Sequence, residues 1–335
     1  MDKENKIRSS LDEPTKQAVK QMWNIDVDGE IMSPLVDYVF KRIFTADDKN
    51  SKAALIAFIN SILEHENDDK IIDLTIINPQ IPVERGTEKK SIFDIRAKYN
   101  SGRQSVIEMQ KDPTPGFRKR SQHIISKVYA AQEISGREYD KLEKCYLICI
   151  TNFNIITETE DYIKDYRYRD RQGNDLTDDV TIVFLDLSKI DDVLDKSVGE
   201  MTNIERWAIF FKYISDTSRR EILNDILEKE EGIRMATNIL LQVSKDEEAR
   251  AYYESELRFE LDQSSRMNHA TREGLAQGMA QGMAQGMAQG MAQGMAQGKT
   301  EMAKNLIKMG LSNTQISEAT NFSMSEEDID ILRGE

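Results

Sequence analysis

Ser91-Ile-Phe-Asp-Ile-Arg-Ala-Lys-Tyr99 and Gln104-Ser-Val-Ile-Glu-Met-Gln110 are the two runs that decide the fold. Both alternate apolar and polar residues, the pattern of a strand with two unlike faces. Asn100-Ser101-Gly102 lies between them. It supplies turn residues, with Gly102 suited to the left-handed position of a three-residue hairpin. Pairing symmetric about Ser101 sets Asp94 opposite Glu108. Gln110, two residues beyond Glu108, shares its face. Like charges opposite one another destabilise a sheet, so a cation is expected between these acids.

Two converging carboxylates suit a hard, oxygen-seeking ion. Mg²⁺ is the expected choice and Mn²⁺ the alternative. Such an ion can polarise a phosphoryl oxygen and help generate a nucleophile from water. Gln110 carries no charge, but its amide can hydrogen-bond to an attacking water or a phosphate oxygen. The plainer reading is a pair of solvated acids on a hairpin. Local charge speaks against it. From Arg85 to Lys127 there are eleven Lys or Arg and four Asp or Glu, a net of +7 in a chain of −14. A basic stretch around an acid pair is the electrostatic footprint of nucleic-acid binding.

Asp94 followed by Glu108-Met109-Gln110 resembles the D…ExQ variant of the PD-(D/E)XK nuclease motif. Ser33-Pro-Leu-Val-Asp-Tyr-Val-Phe-Lys-Arg-Ile-Phe44 is similar to the D-x-x-F-K-x-x-F segment of recombination-promoting nucleases, also called PD-(D/E)XK nuclease family transposases. Phe117-Arg-Lys-Arg120 and Val128-Tyr-Ala-Ala-Gln132 resemble the helix after that motif. The resemblance covers residues 30–215. It implies an α/β, restriction-endonuclease-like αβββαβ core and metal-dependent DNA cleavage. It makes Asp94 and Glu108 metal ligands, with Asp37 an additional acid. Gln110 takes the place usually held by lysine. Arg120 and Gln132 become phosphate-side or supporting groups.

The chain has 335 residues, 31% charged and 7% aromatic, enough for one core of about 150–200 residues and an accessory region. No apolar run approaches the roughly 20 residues that span a bilayer. Met-Asp-Lys-Glu-Asn-Lys opens the chain without an apolar leader, so a cytoplasmic protein without membrane contact is expected. Cys145 and Cys149 fall on one apolar run and read as buried free thiols. With three histidines, a zinc site is not expected.

Residues 1–30 read as a polar arm. Pro34 opens a helical region, and Ala53–Leu63 is a second. Ile71–Ile77 reads as the first strand. A helix spans about Gly116–Ser135. Its opening Arg118-Lys119-Arg120 either meets a phosphate backbone or is a solvated first turn. Lys144–Thr151 is a buried strand. Tyr162–Arg171 and Val180–Leu187, around Gln172-Gly173-Asn174-Asp175, read as an accessory hairpin. Glu200–Tyr213 is an amphipathic helix with core aromatics. The nuclease-like domain is drawn over 31–215, followed by an acidic helical region over 216–273.

From 278 to 297 the tetrapeptide Gly-Met-Ala-Gln recurs five times, after Gly274-Leu-Ala-Gln277 and before Gly298. Seven glycines weaken a helix here by roughly 6–7 kcal/mol, so both a helical spacer or self-association stalk and a flexible linker remain open. Such a tandem array invites copy-number change by replication slippage. Sequencing the locus across isolates checks this. Residues 299–335 read as a small helical cap, with Gly310 ending one helix and Ser312 and Ser325 capping the next two.

The expected function is a Mg²⁺-dependent DNA endonuclease of low sequence specificity, linked to recombination or mobile elements and self-associating through its tail. Its chemistry would rest on Asp94, Glu108 and Gln110, with Asp37 at the metal. Arg118, Lys119, Arg120 and Gln132 would lie on the DNA. The alternative is a non-catalytic nucleic-acid or protein interaction module on the same fold.

Overall fold

The computed structural model describes residues 31–64, 70–81, 91–132, 139–320 and 324–334. The expected arm, 1–30, lies outside the described residues. Contacts divide the chain into two units, Met1–Glu256 and Leu257–Glu335.

The first unit opens with α1 (Asp37–Thr45) and α2 (Lys49–Ile62). Then come β1 (Leu74–Ile76), β2 (Gln80–Ile81), β3 (Ser91–Ile92), β4 (Ile95–Tyr99) and β5 (Gln104–Gln110). Next are α3 (Phe117–Ala130), β6 (Cys145–Thr151), β7 (Ile163–Tyr166) and β8 (Val180–Asp186). A six-stranded sheet runs in the order β1-β4-β5-β6-β8-β7. β5, β6 and β8 are parallel neighbours, and the remaining pairs are antiparallel. The expected αβββαβ core is therefore present.

The hairpin register is the one read from the sequence, with Ile95 opposite Ile107 and Lys98 opposite Gln104. Gly102 has φ +91°, and its N–H donates to the Tyr99 carbonyl at 2.9 Å. The first run is interrupted before Asp94, however. Phe93 N–H donates to Pro79 O, and β3 pairs with β2 in a separate ribbon. β1 is shorter than Ile71–Ile77. The Asn60 amide takes both Ile71 N–H and Ile71 C=O, which removes that residue from the ladder. The helix expected to Ser135 closes at Ala130, and residues 133–138 lie outside the described set.

One expectation is corrected. The hairpin of β7 and β8 forms, but it is not accessory, because Val180–Asp186 belongs to the core sheet. That strand pairs along its whole length with β6, and β7 extends the same sheet. Its near-continuous burial is the mark of a parallel strand covered on both faces.

α3 covers one face of the sheet, over Val106, Cys145, Leu147, Cys149, Val180 and Phe184. Both cysteines are free and buried. α1 packs against β4 and β5. α4 (Asn203–Tyr213) begins at a capping box made by Thr202 and Glu205. Its Trp207 and Phe211 meet Phe40, Phe44 and Phe58 at centroid separations of 5.2–6.1 Å. Phe210 joins this core cluster edge-on to Trp207 at 5.7 Å. α5 (Arg220–Lys229) and α6 (Glu231–Lys245) belong to this unit, beyond the boundary drawn at 215. α6 approaches α2 closely. A Cβ on Gly232 would lie 2.4 Å from Ala57 Cβ.

α7 (Glu247–Lys308) is one helix of 62 residues, and the tetrapeptide array falls inside it. The repeat methionines are exposed, from 58% at Met295 to 74% at Met283. In the second unit, Gly310 has φ +85°, and Ser312 forms a capping box with Gln315. α8 (Asn313–Ala319) and α9 (Glu326–Gly334) bury Ile316 and Ile329 against Ala303. Ser325 Oγ accepts from Asp328 N–H at 3.1 Å, as the capping pattern requires.

Candidate functional site

β5 delivers Glu108 to the α3 face of the sheet, where it is 1% exposed. Asp94 stands at the bend before β4. Its Oδ2 accepts from Met109 N–H at 2.8 Å, which ties the Asp94 carboxylate to the β5 backbone next to Glu108. A buried carboxylate ordinarily fills its acceptor sites. Glu108 Oε2 lies 3.2 Å from the Arg120 guanidinium, and Oε1 has no hydrogen-bond partner among the described residues.

Burial and mutual repulsion act together on this pair. Asp94 is pushed up to about 7, by burial first and then by the Asp37 charge beside it. Glu108 is pushed up to about 8, by burial and then by Asp94; Arg120 and Lys41 oppose the rise. The two acids' common need is positive charge.

α1 brings two groups to them. Asp37 occupies its first turn, and Lys41 lies one turn later on the same face. Lys41 Nζ is 2.7 Å from Asp37 Oδ2 and 3.3 Å from Asp94 Oδ1. Burial pulls the Lys41 ammonium down, but the two aspartates outweigh it and its pKa is raised. Sequence reasoning does not single out Lys41. Its spacing from Asp37 and the apolar stripe of Phe40, Ile43 and Phe44 fix its face, but not what that face meets.

Arg120 leaves α3 from a helix start where Gly116 has φ +75°. Its guanidinium sits 5.9 Å from the Phe117 ring centroid and remains 45% exposed. Arg118 and Lys119 are exposed on the same turn, and Arg118 pairs with Glu158 at 2.8 Å. Gln110 is partly exposed at the end of β5, two residues from Glu108. His123 is exposed on α3. Of the basic residues counted around the motif, Arg85, Lys89 and Lys90 lie outside the described residues.

Gln132 is not brought to the acid pair. Its amide nitrogen donates to Glu143 O and its amide oxygen accepts from Glu143 N–H, both at 2.8 Å. That contact sits where β6 begins, opposite Gln104 at the far end of β5. The residue anchors the chain entering β6. Gln132→Ala is expected to cost about 1–3 kcal/mol of stability, because it strands two backbone groups. Any DNA cleavage by the folded fraction should be unchanged. Denaturant melts and cleavage rates together check this; a lost rate at unaltered stability would return Gln132 to the DNA.

Do these residues fit a divalent ion? Among the described residues no three acidic, imidazole or thiol side chains form a metal-holding cluster, and Asp37 is engaged by Lys41. Asp94 and Glu108 do fit. They are neighbouring buried oxygen donors, and one Glu108 oxygen has no hydrogen-bond partner among the described residues.

The family model described as PD-(D/E)XK nuclease family transposase matches residues 34–270, more than half of the chain. Neither the curated proteins nor the solved structures give a match. Sheet, acid pair and family match agree: the chain belongs to the PD-(D/E)XK nuclease family transposases.

Proposed function

We propose that this protein is a Mg²⁺-dependent DNA endonuclease that hydrolyses phosphodiester bonds with low sequence specificity. Family membership supports a nuclease- or transposase-related function on DNA, and PD-(D/E)XK nucleases generally use divalent metal ions. The observation that carries the finer reading is the buried Glu108 carboxylate beside Asp94, with one oxygen unpartnered among the described residues. Apolar replacements would cost less there if the pair served only the fold.

Asp94 and Glu108 would hold the ion. When bound, it would polarise the scissile phosphate and offset its developing negative charge. The chain's own groups do the rest. Lys41, steadied by Asp37, adds positive charge beside Asp94. Arg120, half-exposed above Glu108, can turn to a phosphate oxygen. Gln110 can hydrogen-bond to the attacking water. Water oxygen then bonds to phosphorus as the bond to the leaving sugar oxygen breaks; the water loses its proton to solvent, and the leaving oxygen takes one from solvent. Arg118 and Lys119 would steady the backbone. Such phosphate contacts carry no sequence information, which is the ground for low specificity.

Gln110 in the usual lysine position favours the rival reading, a binding module without chemistry. Lys41 weakens that objection, because an ammonium already stands 3.3 Å from Asp94. Supercoiled plasmid decides between them. Nicking should appear with Mg²⁺ or Mn²⁺ and stop with EDTA. DNA binding that ignores chelator, without any cutting, would establish the module instead. Self-association along the exposed repeat helix and a cytoplasmic setting belong to the same proposal. Among the described residues no helix is long and apolar enough to cross a membrane.

A further inference from the structure

Glu108, Cys149 and Phe184 stand in one register row across β5, β6 and β8. Residues paired in this way project to the same face. Phe184 therefore shares the face of Glu108 at a distance of two strands, about 10 Å. Lys164 of β7 continues the row, and Tyr166 pairs with Ile182. Tyr168, two residues beyond Tyr166, reaches the same groove.

Tyr166, Tyr168, Ile182 and Phe184 line a groove of about 320 Å³ between the sheet and α3. Val180, Ile182 and Phe184 form its apolar floor. Tyr166 and Tyr168 form one wall and are 41% and 46% exposed. The Tyr166 ring stands edge-on to Phe184 at 6.0 Å. Arg118, Lys119 and Gln122 form the opposite wall. Arg118 is shared with Glu158, while Lys119 has no ion-pair partner among the described residues. The next residue of that wall's helix is Arg120, which reaches Glu108.

We propose that this groove takes an unpaired nucleobase of the DNA, displaced from the strand that crosses the acid pair. A flat heterocycle suits two exposed tyrosines over an apolar floor, because every base offers a face for stacking. Gln122 can meet a base edge with both donor and acceptor. Lys119 and Arg118 suit the anionic backbone that travels with the base, an apolar-plus-cationic combination matched to a nucleotide. The volume is at the lower limit of small-ligand sites, fitting for one base. The substrate class thus becomes DNA with a single-stranded or distorted segment at the cleavage position. This rests on the nuclease reading above.

The test uses the full chain in EDTA, where no cutting occurs. Fluorescent single-stranded and duplex oligonucleotides of one sequence are titrated by anisotropy, with a single-stranded version carrying abasic positions. The parent should prefer the single strand by about tenfold. Tyr168→Ala and Tyr166→Ala should each erase that preference and leave duplex binding intact; Tyr166→Phe should restore it. Abasic sites should weaken the parent as the alanines do. Tyrosine-independent or abasic-insensitive binding overturns the proposal, as does equal affinity for an acidic peptide that competes at the tyrosines. Cleavage is scored separately on plasmid. Tyrosine-dependent binding without any cutting upholds the groove and rejects the nuclease. Cutting with tyrosine-independent binding does the reverse.

Discussion

Asp94→Asn and Glu108→Gln are each expected to lower plasmid cleavage by about 10³-fold, with DNA binding in EDTA almost unchanged. Both substitutions keep the shape of the side chain and remove the charge. In the Asp94→Asn variant the Met109 N–H can still donate to the new side-chain carbonyl, so the hairpin should remain closed. What disappears is the pair of anionic oxygens that would hold a divalent ion. Cleavage time courses in Mg²⁺ and in Mn²⁺ measure the loss. A variant that cuts within tenfold of the parent would remove its acid from the chemistry.

The same pair should make the ion-free protein less stable as pH rises. Both acids have folded-state pKa values above those of an unfolded chain. Between the ordinary carboxylate range and about 7 to 8, the folded protein holds more protons than the unfolded one. Stability therefore falls with rising pH across that window, and the penalty is absent below about pH 4. With EDTA present, the penalty should reach a few kcal/mol, a drop in Tm of roughly 5–10 °C. Asp94→Asn with Glu108→Gln should flatten this part of the profile, so the double variant becomes the more stable protein at pH 8. Mg²⁺ or Mn²⁺ should raise the parent's Tm more at pH 8 than at pH 5, since the ion binds the deprotonated acids. Parallel profiles for parent and double variant would show that the carboxylates carry no such strain.

Local chemistry makes the hairpin legible. Asn100-Ser101-Gly102 specifies a turn, the turn sets the register, and the register sets Asp94 near Glu108. Buried cysteines, the α4 aromatics and the caps at Ser312 and Ser325 follow from equally local rules. The remainder depends on partners distant in the chain. Lys41 reaches Asp94 only because α1 packs on β4 and β5. Gln132 reads as a residue of the site helix, yet Glu143 claims its amide. β8 reads as an accessory strand because Gln172-Gly173-Asn174-Asp175 announces a hairpin so strongly. The turn does form, with Gly173 at φ +92°, but no turn reveals which other strand its arms will join. That information lies in the unbroken apolar run Ile182-Val-Phe-Leu185.

Cys149 pairs with Glu108 on the neighbouring strand, and both Cys145 and Cys149 are sealed beneath α3. Burial pushes the Cys145 thiol up to about 12 and raises that of Cys149 as well. Thiolate, the species that alkylates, is thus withheld twice, by chemistry and by access. Maleimide labelling therefore requires that the thiols first become exposed by opening of the structure. Labelling at Cys149, read by mass without an introduced probe, is expected to time the opening of the row that bears Glu108.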